Sequence, residues 1–280
     1  MTTNIFPVLV LGTTEIYQTQ LANQDSSLMI GGNGLLSALA VAKKAQCSLV
    51  SGVGLDIYDN LLQLKIPNLD LSGLKFYPEQ KSFFYKSVLD ENGSETSGTP
   101  EFNCHRQFLD TTFNDFLTCN ILHCSGTDPD FYLNNLSNID YQILSVTTIG
   151  YFLEKKPESV VKLMQKADII FLNLDEFESL KKEMGLSNKL IIITKGANGL
   201  DVYSQNQKYS FETKEVQTKN TVNAGDVLAG SFLANLIERN LISKQDILAL
   251  EQAELAQIIS NSQTETQKLL QQDPYYRTLL

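Results

Sequence analysis

Tryptophan is absent from the 280 residues, histidine occurs twice, and cysteine only four times. Tyr (11) and Phe (14) supply the aromatic content instead, and 42% hydrophobic with 19% charged residues is ordinary globular composition. Disordered, collagen-like and low-complexity readings are thereby excluded. Four cysteines are too few to brace a chain of this length, so a reducing, cytoplasmic compartment is expected. Positive charge is scarce as well: 22 basic against 32 acidic residues leave a net charge of -10. That balance argues against a nucleic-acid or anionic-membrane partner, although it is compatible with a local basic pocket for one phosphorylated ligand. No long apolar run is present, because residues 30–42 are interrupted by Gly31, Gly32, Asn33 and Gly34, and no bilayer span is expected. No positive charge precedes residues 5–11 and no small-residue cleavage site follows, so this segment reads as a first strand and not as a signal peptide.

Both histidines fall among cysteines, in Cys104-His105 and His123-Cys124, with Cys119 between. Zinc pairs usually stand two to four residues apart on a knuckle or a helix face, whereas neighbours on a strand point to opposite faces. Residues 121–125 read as a buried strand, so His123 and Cys124 should diverge, and a structural role is expected for the group.

What the sequence does contain is an alternation of compact apolar runs with helix-length segments. Strands are expected at 8–11, 48–53, 121–124, 142–146, 168–172 and 190–194, and helices at 35–45, 156–166, 176–183, 226–240 and 243–260. Strands separated by helices imply parallel pairing through right-handed crossovers, with helices on both faces of the sheet. Residues 83–89 run into Asp90-Glu91-Asn92-Gly93, a hairpin signal with a polar return arm, and residues 201–211 form a second hairpin. There is no internal repeat and no linker that would divide the chain. One α/β core with a small β flap is the simplest organisation.

Four segments could carry chemistry. Asn220-Thr221-Val222-Asn223-Ala224-Gly225-Asp226 leads into an apolar helix, whose start favours an anion through unpaired N–H groups and the helix dipole. Asp226 in that first turn can accept a proton from an attacking hydroxyl; equally, Asn223 can be a simple N-cap and Asp226 a dipole partner. Asn173-Leu174-Asp175-Glu176 follows an apolar strand, where Asn173 and Glu176 could hold a hydrated Mg²⁺, or Asn173 or Asp175 could cap the next helix. Thr194-Lys195-Gly196-Ala197-Asn198-Gly199 ends a strand in a glycine-containing turn, suited to lie under a nucleotide or merely to reverse the chain. Gly31-Gly32-Asn33-Gly34 before a helix, with Asp56 after the next strand, faintly matches a dinucleotide fingerprint, but Ser37 stands where its third glycine belongs.

Taken in order, these segments resemble the ribokinase-like (PfkB) carbohydrate kinase family over about residues 8–256. Gly31-Gly32 is similar to its first signature, and Gly52-Val53-Gly54-Leu55-Asp56 to the strand that follows. Asn173 and Glu176 match Asn-x-x-Glu, Thr194 to Gly199 resembles Thr-x-Gly-x-x-Gly, and Asn220 to Asp226 resembles Asp-Thr-x-Gly-Ala-Gly-Asp. The resemblance implies a three-layer α/β/α fold with a mostly parallel central sheet, in one domain over 1–280, and a small β lid drawn from about 12–30 and 75–100. It implies an ATP-dependent, Mg²⁺-assisted kinase that transfers the γ-phosphoryl group to a hydroxyl of a small molecule, a sugar or nucleoside by default. Asp226 would be the catalytic base, and Asn223, Ala224 and Gly225, with the Asp226 amide, the anion hole. Thr194, Gly196 and Gly199 would approach ATP, Gly31, Gly32 and Asn33 the acceptor, and Asn173 and Glu176 would organise Mg²⁺ through its waters. The lid of the family closes over substrate and is often shared in a homodimer.

The sequence departs from the family at definite places. Asn223 stands where the family has glycine, and Asn220 replaces the leading aspartate. Residues 11–17 offer only Glu15 where an aspartate grips sugar hydroxyls, Leu36 replaces an asparagine, and 147–150 lack an acid. Missing partners for sugar hydroxyls lower sugar affinity sharply. A second reading is therefore a degenerate relative that binds nucleotide or metabolite without turnover. Retention of Asp226 favours the enzyme.

Overall fold

The four aliphatic residues Leu190, Ile191, Ile192 and Ile193 are all essentially inaccessible to solvent, which requires a strand with cover on both faces. In the computed structural model, which describes residues 5–21, 27–89, 95–113, 117–213 and 223–271, that strand lies inside a ten-stranded sheet. The strands are β1 (Phe6–Gly12), β2 (Glu15–Leu21), β3 (Ser27–Gly31), β4 (Cys47–Gly54), β5 (Leu69–Asp70), β6 (Leu74–Tyr77) and β7 (Phe83–Leu89). Then follow β8 (Glu95–Glu101), β9 (Leu117–Ser125), β10 (Ile139–Thr147), β11 (Ile169–Asn173), β12 (Leu190–Thr194), β13 (Leu200–Ser204) and β14 (Gln207–Phe211). The helices are α1 (Asn33–Ala42), α2 (Leu55–Leu62), α3 (Cys104–Leu109), α4 (Pro129–Asn135) and α5 (Gly150–Lys155). They continue with α6 (Pro157–Lys166), α7 (Leu174–Leu180), α8 (Ala224–Glu238), α9 (Lys244–Leu248) and α10 (Gln252–Gln271).

The main sheet has the order β14-β13-β12-β11-β10-β9-β1-β4-β5, with β6 also on β4. It is parallel from β12 to β5 and ends in the antiparallel β12-β13-β14 hairpin edge. The period of two along each strand divides the core. Val8, Val10, Ile121, Leu190 and Ile192 join α1, α2, α8, α9 and α10 on one face, while Leu9, Leu11, Leu122, Ile191 and Ile193 join α3 to α7 on the other. His123 meets the Phe171 ring, which belongs to the first face, and Cys124 belongs to the second. The pair diverges as the strand pattern required.

A second sheet, β3-β2-β7-β8, stands apart from the first. The β7-β8 hairpin is the one read from the sequence, although its turn, 90–94, lies outside the described residues. Residues 74–77 are not part of this flap: they pair with 51–54 of β4 in parallel. The helix expected over 243–260 is also interrupted. Ser243 and Asp246 form a capping box that starts α9, and buried Leu250 enters the core before α10 begins.

Two close backbone approaches fix the helices that matter below. A Cβ at Gly12 would lie 2.7 Å from the Gly34 Cα, so the end of β1 touches the first turn of α1 directly. A Cβ at Gly230 of α8 would lie 2.2 Å from the Ser37 carbonyl oxygen and 2.8 Å from the Ala40 Cβ of α1. In an ordinary helix interior, Gly→Ala stabilises by about 1 kcal/mol. At Gly230 the overpacking prevails, and Gly230→Ala is expected to destabilise the fold by about 2 kcal/mol in urea denaturation; an unchanged or raised midpoint would refute the close approach.

Candidate active site

Parallel strands end on one side of the sheet, and there the first turn of α8 carries Asp226 into the interior, with 9% of its surface exposed. The Ser125 hydroxyl, at the end of β9, donates to Asp226 Oδ1 at 3.4 Å, and the Ser37 hydroxyl of α1 donates to the Asp226 carbonyl oxygen at 3.1 Å. The Tyr132 hydroxyl, fully buried, reaches the carbonyl oxygens of Leu11 (2.9 Å) and Ser125 (3.1 Å), and so ties the ends of β1 and β9 together beneath the site. Burial, and then the nearby Glu176 carboxylate, push Asp226 up to about 7, while hydrogen bonds from Ser125 and Asn33 oppose the rise.

Asn223 precedes this helix at φ 62°, in the left-handed region, and its side chain makes no capping bond. The capping alternative therefore does not describe Asn223; the residue reproduces the backbone shape a glycine would take. The Asp226 amide donates to the Asn223 carbonyl oxygen at 3.1 Å. Ala224 and Gly225 open the helix, where backbone amides lack intrahelical partners, and a Cβ at Gly225 would meet nothing within 4 Å among the described residues. Asn220, Thr221 and Val222 lie outside the described residues.

Asn173 does cap a helix. Its side chain accepts from the Glu176 amide at 2.9 Å, and Glu176 Oε2 accepts from the Asn173 amide at 2.9 Å. Glu176 nevertheless lines the same cleft as Asn223, and burial, with a smaller contribution from Asp175, raises its carboxyl to about 7. Asn173 is paired in register with Thr194 on the neighbouring strand. Beyond Thr194, Lys195 is held by Asp201 at 2.6 Å. Gly196 faces open space, whereas Gly199, at φ +86°, stands where a Cβ would lie 2.2 Å from the Phe211 carbonyl oxygen. Gly199 thus serves the chain reversal into β13, and Gly196 is the glycine open to a ligand.

A cleft of about 480 Å³ is lined by the second sheet, by the segments that follow β1, β9 and β10, and by residues of the surrounding helices; Glu176 and Asn223 line it, whereas Asp226, Ala224, Gly225, Asn173, Thr194, Gly196 and Gly199 do not. Of the three residues expected on the acceptor side, Asn33 lines it and Gly31 and Gly32 do not. Gly32, at φ +104°, lies against the Thr13 carbonyl, which itself accepts from the amides of Gly34 (3.0 Å) and Leu35 (3.1 Å). The start of α1 is therefore capped by the chain and is not left for an anion. Glu15, buried at the root of the cleft, is raised to about 8 by burial and then by Asp226. The largest feature missed from sequence is the aromatic wall of Tyr17, Phe83, Tyr85, Phe102 and Tyr151. Local sequence signals only its parts, the aromatic run 83–85 and the single Tyr17. His105 also lines the cleft; its Nε2 is 2.7 Å from the Thr127 hydroxyl, and burial lowers it to about 4.

Among the described residues, no group of three His, Cys, Asp or Glu side chains is arranged to hold a metal by itself, and no helix is long and apolar enough to cross a membrane. The sequence profile of the pfkB family of carbohydrate kinases matches residues 8–259, and the chain belongs to that family. Comparison with curated proteins found no match. Among solved structures, the chain is similar to the nucleoside kinase of Methanocaldococcus jannaschii, an archaeal member of the ribokinase family, with a TM-score of 0.77 and 16% identity over 95% of this chain and 92% of that one. It is also similar to the ribokinase of Cryptococcus neoformans var. grubii serotype A in complex with ADP, with a TM-score of 0.70 and 15% identity over 96% and 94%. A third is the Burkholderia thailandensis nucleoside kinase in complex with inosine, at 0.70 and 13% over 96% and 99%. At such identities the likeness is one of fold, and the fold is ribokinase-like.

Buried acids make a stability prediction with a definite sign. Glu15 holds its proton to about 8 when folded and to its ordinary 4.5 when unfolded. Its contribution to stability is complete below the lower value and is lost as pH rises to the upper one. The urea midpoint should therefore fall between about pH 5 and about pH 8.5, and Glu15→Gln should flatten that fall. An equal fall in the variant would place the buried charge elsewhere.

Proposed function

We propose that this cleft is the active centre of a kinase that uses ATP and Mg²⁺ to phosphorylate an alcohol on a small molecule. The observation that carries the reading is a buried carboxylate, Asp226, in the first turn of α8 behind the small residues Ala224 and Gly225. Asp226 takes the proton from the attacking hydroxyl, and the amides of Asn223, Ala224 and Gly225 receive the charge that grows on the transferring phosphoryl group. Thr194 and Gly196 border the nucleotide, with Gly199 shaping the turn between them and β13. The β3-β2-β7-β8 sheet acts as the lid over the acceptor.

The donor set suits magnesium. Glu176 spends one oxygen on the Asn173 amide and offers the other to the cleft, which matches an ion that retains its waters and takes few protein ligands. When bound, Mg²⁺ supplies counter-charge for the nucleotide phosphates. Removal of negative charge also favours the ionised form of Asp226, whose pKa the Glu176 carboxylate raises.

The non-catalytic reading rests on Asn223 in place of glycine and on the missing polar partners for sugar hydroxyls. Asn223 holds the glycine-like φ of 62°, which supports a working anion hole. The test is Mg²⁺-dependent ADP release with a panel of sugars, nucleosides and vitamin-like alcohols. Asp226→Asn should lower kcat about 10³-fold while the KM for ATP changes little; turnover untouched by the variant would overturn the assigned base. In the wild type, kcat/KM should climb with pH through about 7 and level off above it, as Asp226 loses its proton.

A further inference from the structure

The segment Gly52-Val53-Gly54-Leu55-Asp56 has no part in the chemistry proposed above, and Asp56 does not line the cleft. An acid in the first turn of a helix ordinarily answers that helix's own amides and dipole. Asp56, half-buried in the first turn of α2, instead reaches across to the chain that enters β7. Its Oδ1 accepts from the Ser82 amide at 2.9 Å and from the Ser82 hydroxyl at 2.7 Å. The same hydroxyl oxygen accepts from the Gly54 amide at 2.8 Å, and the Ser82 carbonyl oxygen accepts from Asn103 Nδ2 at 2.9 Å. Every polar group of Ser82, itself fully buried, is thereby engaged. A Cβ at Gly54 would lie 2.4 Å from the Gln80 carbonyl oxygen and 2.5 Å from the Ser82 nitrogen, so the two backbones are in direct contact there.

Asn103 is the counterpart on the leg that leaves β8. It holds the N-cap position of α3 without making a capping bond, because its side chain goes to Ser82. Its backbone lies at φ 44°, ψ −128°, in territory that favours glycine, and such a conformation persists only where neighbours over-determine it. The Cys104 amide adds a bond to the Lys81 carbonyl oxygen at 3.1 Å. Both legs of the β7-β8 hairpin are therefore laced together at one point, with Asp56 as the charged group that holds it. Three cleft-lining side chains leave the chain beside this knot: Phe83 follows Ser82, Phe102 precedes Asn103, and His105 opens α3. Phe83 stands edge-on to Phe102 at 5.4 Å and to His105 at 5.5 Å, so displacement of the knot moves all three.

We propose that Asp56 is a positioning residue of the cleft: from outside it, the carboxylate locks the entry and exit of the β7-β8 hairpin at Ser82 and Asn103 and so sets where Phe83, Phe102 and His105 stand. The kinetic consequence rests on the kinase reading; the mechanical one does not.

The mechanical test is hydrogen exchange of the full chain, read by mass spectrometry without ligand, in wild type, Asp56→Ala and Asp56→Asn. In Asp56→Ala, segments 83–89 and 95–101 should exchange about tenfold faster, while 121–125 and 190–194 stay within about twofold. Asp56→Asn keeps an oxygen for the Ser82 donors and should recover most of the protection. Asn103→Gly removes the second tie at a φ that glycine takes freely, and should act in the same direction, so that misfolding of Asp56→Ala does not decide the matter. The kinetic test uses ADP release with whichever sugar, nucleoside or vitamin-like alcohol the wild type turns over best. There Asp56→Ala should raise the acceptor KM about tenfold and leave the KM for ATP within about twofold, and Asp56→Asn should restore it. Unchanged exchange in the second sheet, or an equal rise in both sheets, would overturn the proposal. So would an acceptor KM that stays unchanged or rises no more than that for ATP. A wild type that releases no ADP with any acceptor would overturn the kinase reading, and the exchange comparison would still decide whether Asp56 holds the hairpin.

Discussion

Direct contact between backbones, made where side chains are missing, is the constraint on which this site depends. Gly12 against Gly34 seats the first turn of α1 on the end of β1, and Gly230 against Ser37 seats α8 on α1. Asp226 is one turn before Gly230, and the Ser37 hydroxyl that accompanies the helix contact binds the Asp226 carbonyl at 3.1 Å. Helix position and carboxylate position are thereby one variable. Interiors are packed too closely to let one move without the other, so an acid in a helix start, which elsewhere would be a surface cap, is carried below the surface and kept there.

That placement has an electrostatic consequence. Glu15 and Glu176 line one cleft and Asp226 is close enough to couple electrostatically to both, and burial raises each of them. The described lining contains no Lys or Arg to balance them, and burial keeps His105 toward its neutral form. Such an arrangement opposes ionisation in the empty protein and becomes less unfavourable as positive charge arrives. Under the proposed function, the same groups that weaken the fold at high pH would make ionisation of Asp226 follow occupancy of the cleft by the metal–nucleotide pair.

The central sheet was legible because a strand buried on both faces must be apolar at every position, and residues 8–11, 121–124 and 190–193 are. The β7-β8 hairpin announced itself through its turn residues, and the approach of α8 through the small residues at 224 and 225. Less was legible where partners lie far apart in sequence. Asn173 and Glu176 satisfy a capping box as fully as a functional motif, so the pattern alone left both readings open, and the geometry shows one residue serving the cap and the cleft together. Gly31 and Gly32 looked like a ligand loop, yet Gly32 is required by the Thr13 carbonyl. The aromatic wall was hidden because Tyr17 and Tyr85 become neighbours only through a parallel pairing across some seventy residues, which no local period records.

The two halves of the cleft therefore answer to different constraints. At the α8 end the shape is set by the backbone, and Asn223 keeps at φ 62° a conformation that glycine takes freely. At the second sheet, side chains do the work, and each change alters what can be held. Leu36 is buried, with its Cδ1 beside Gly31; an amide there would have offered hydrogen bonds, whereas the leucine offers only packing. Glu15 remains as the acid at the root, in a position where burial favours its neutral form. A neutral carboxyl both donates and accepts, so Glu15 can meet either a donor or an acceptor on what the cleft holds, which an ionised acid cannot. Drift in the acceptor end can thus change the ligand while the phosphoryl-transfer end stays the same, because the helix start that would bind phosphate does not depend on the side chains that have changed.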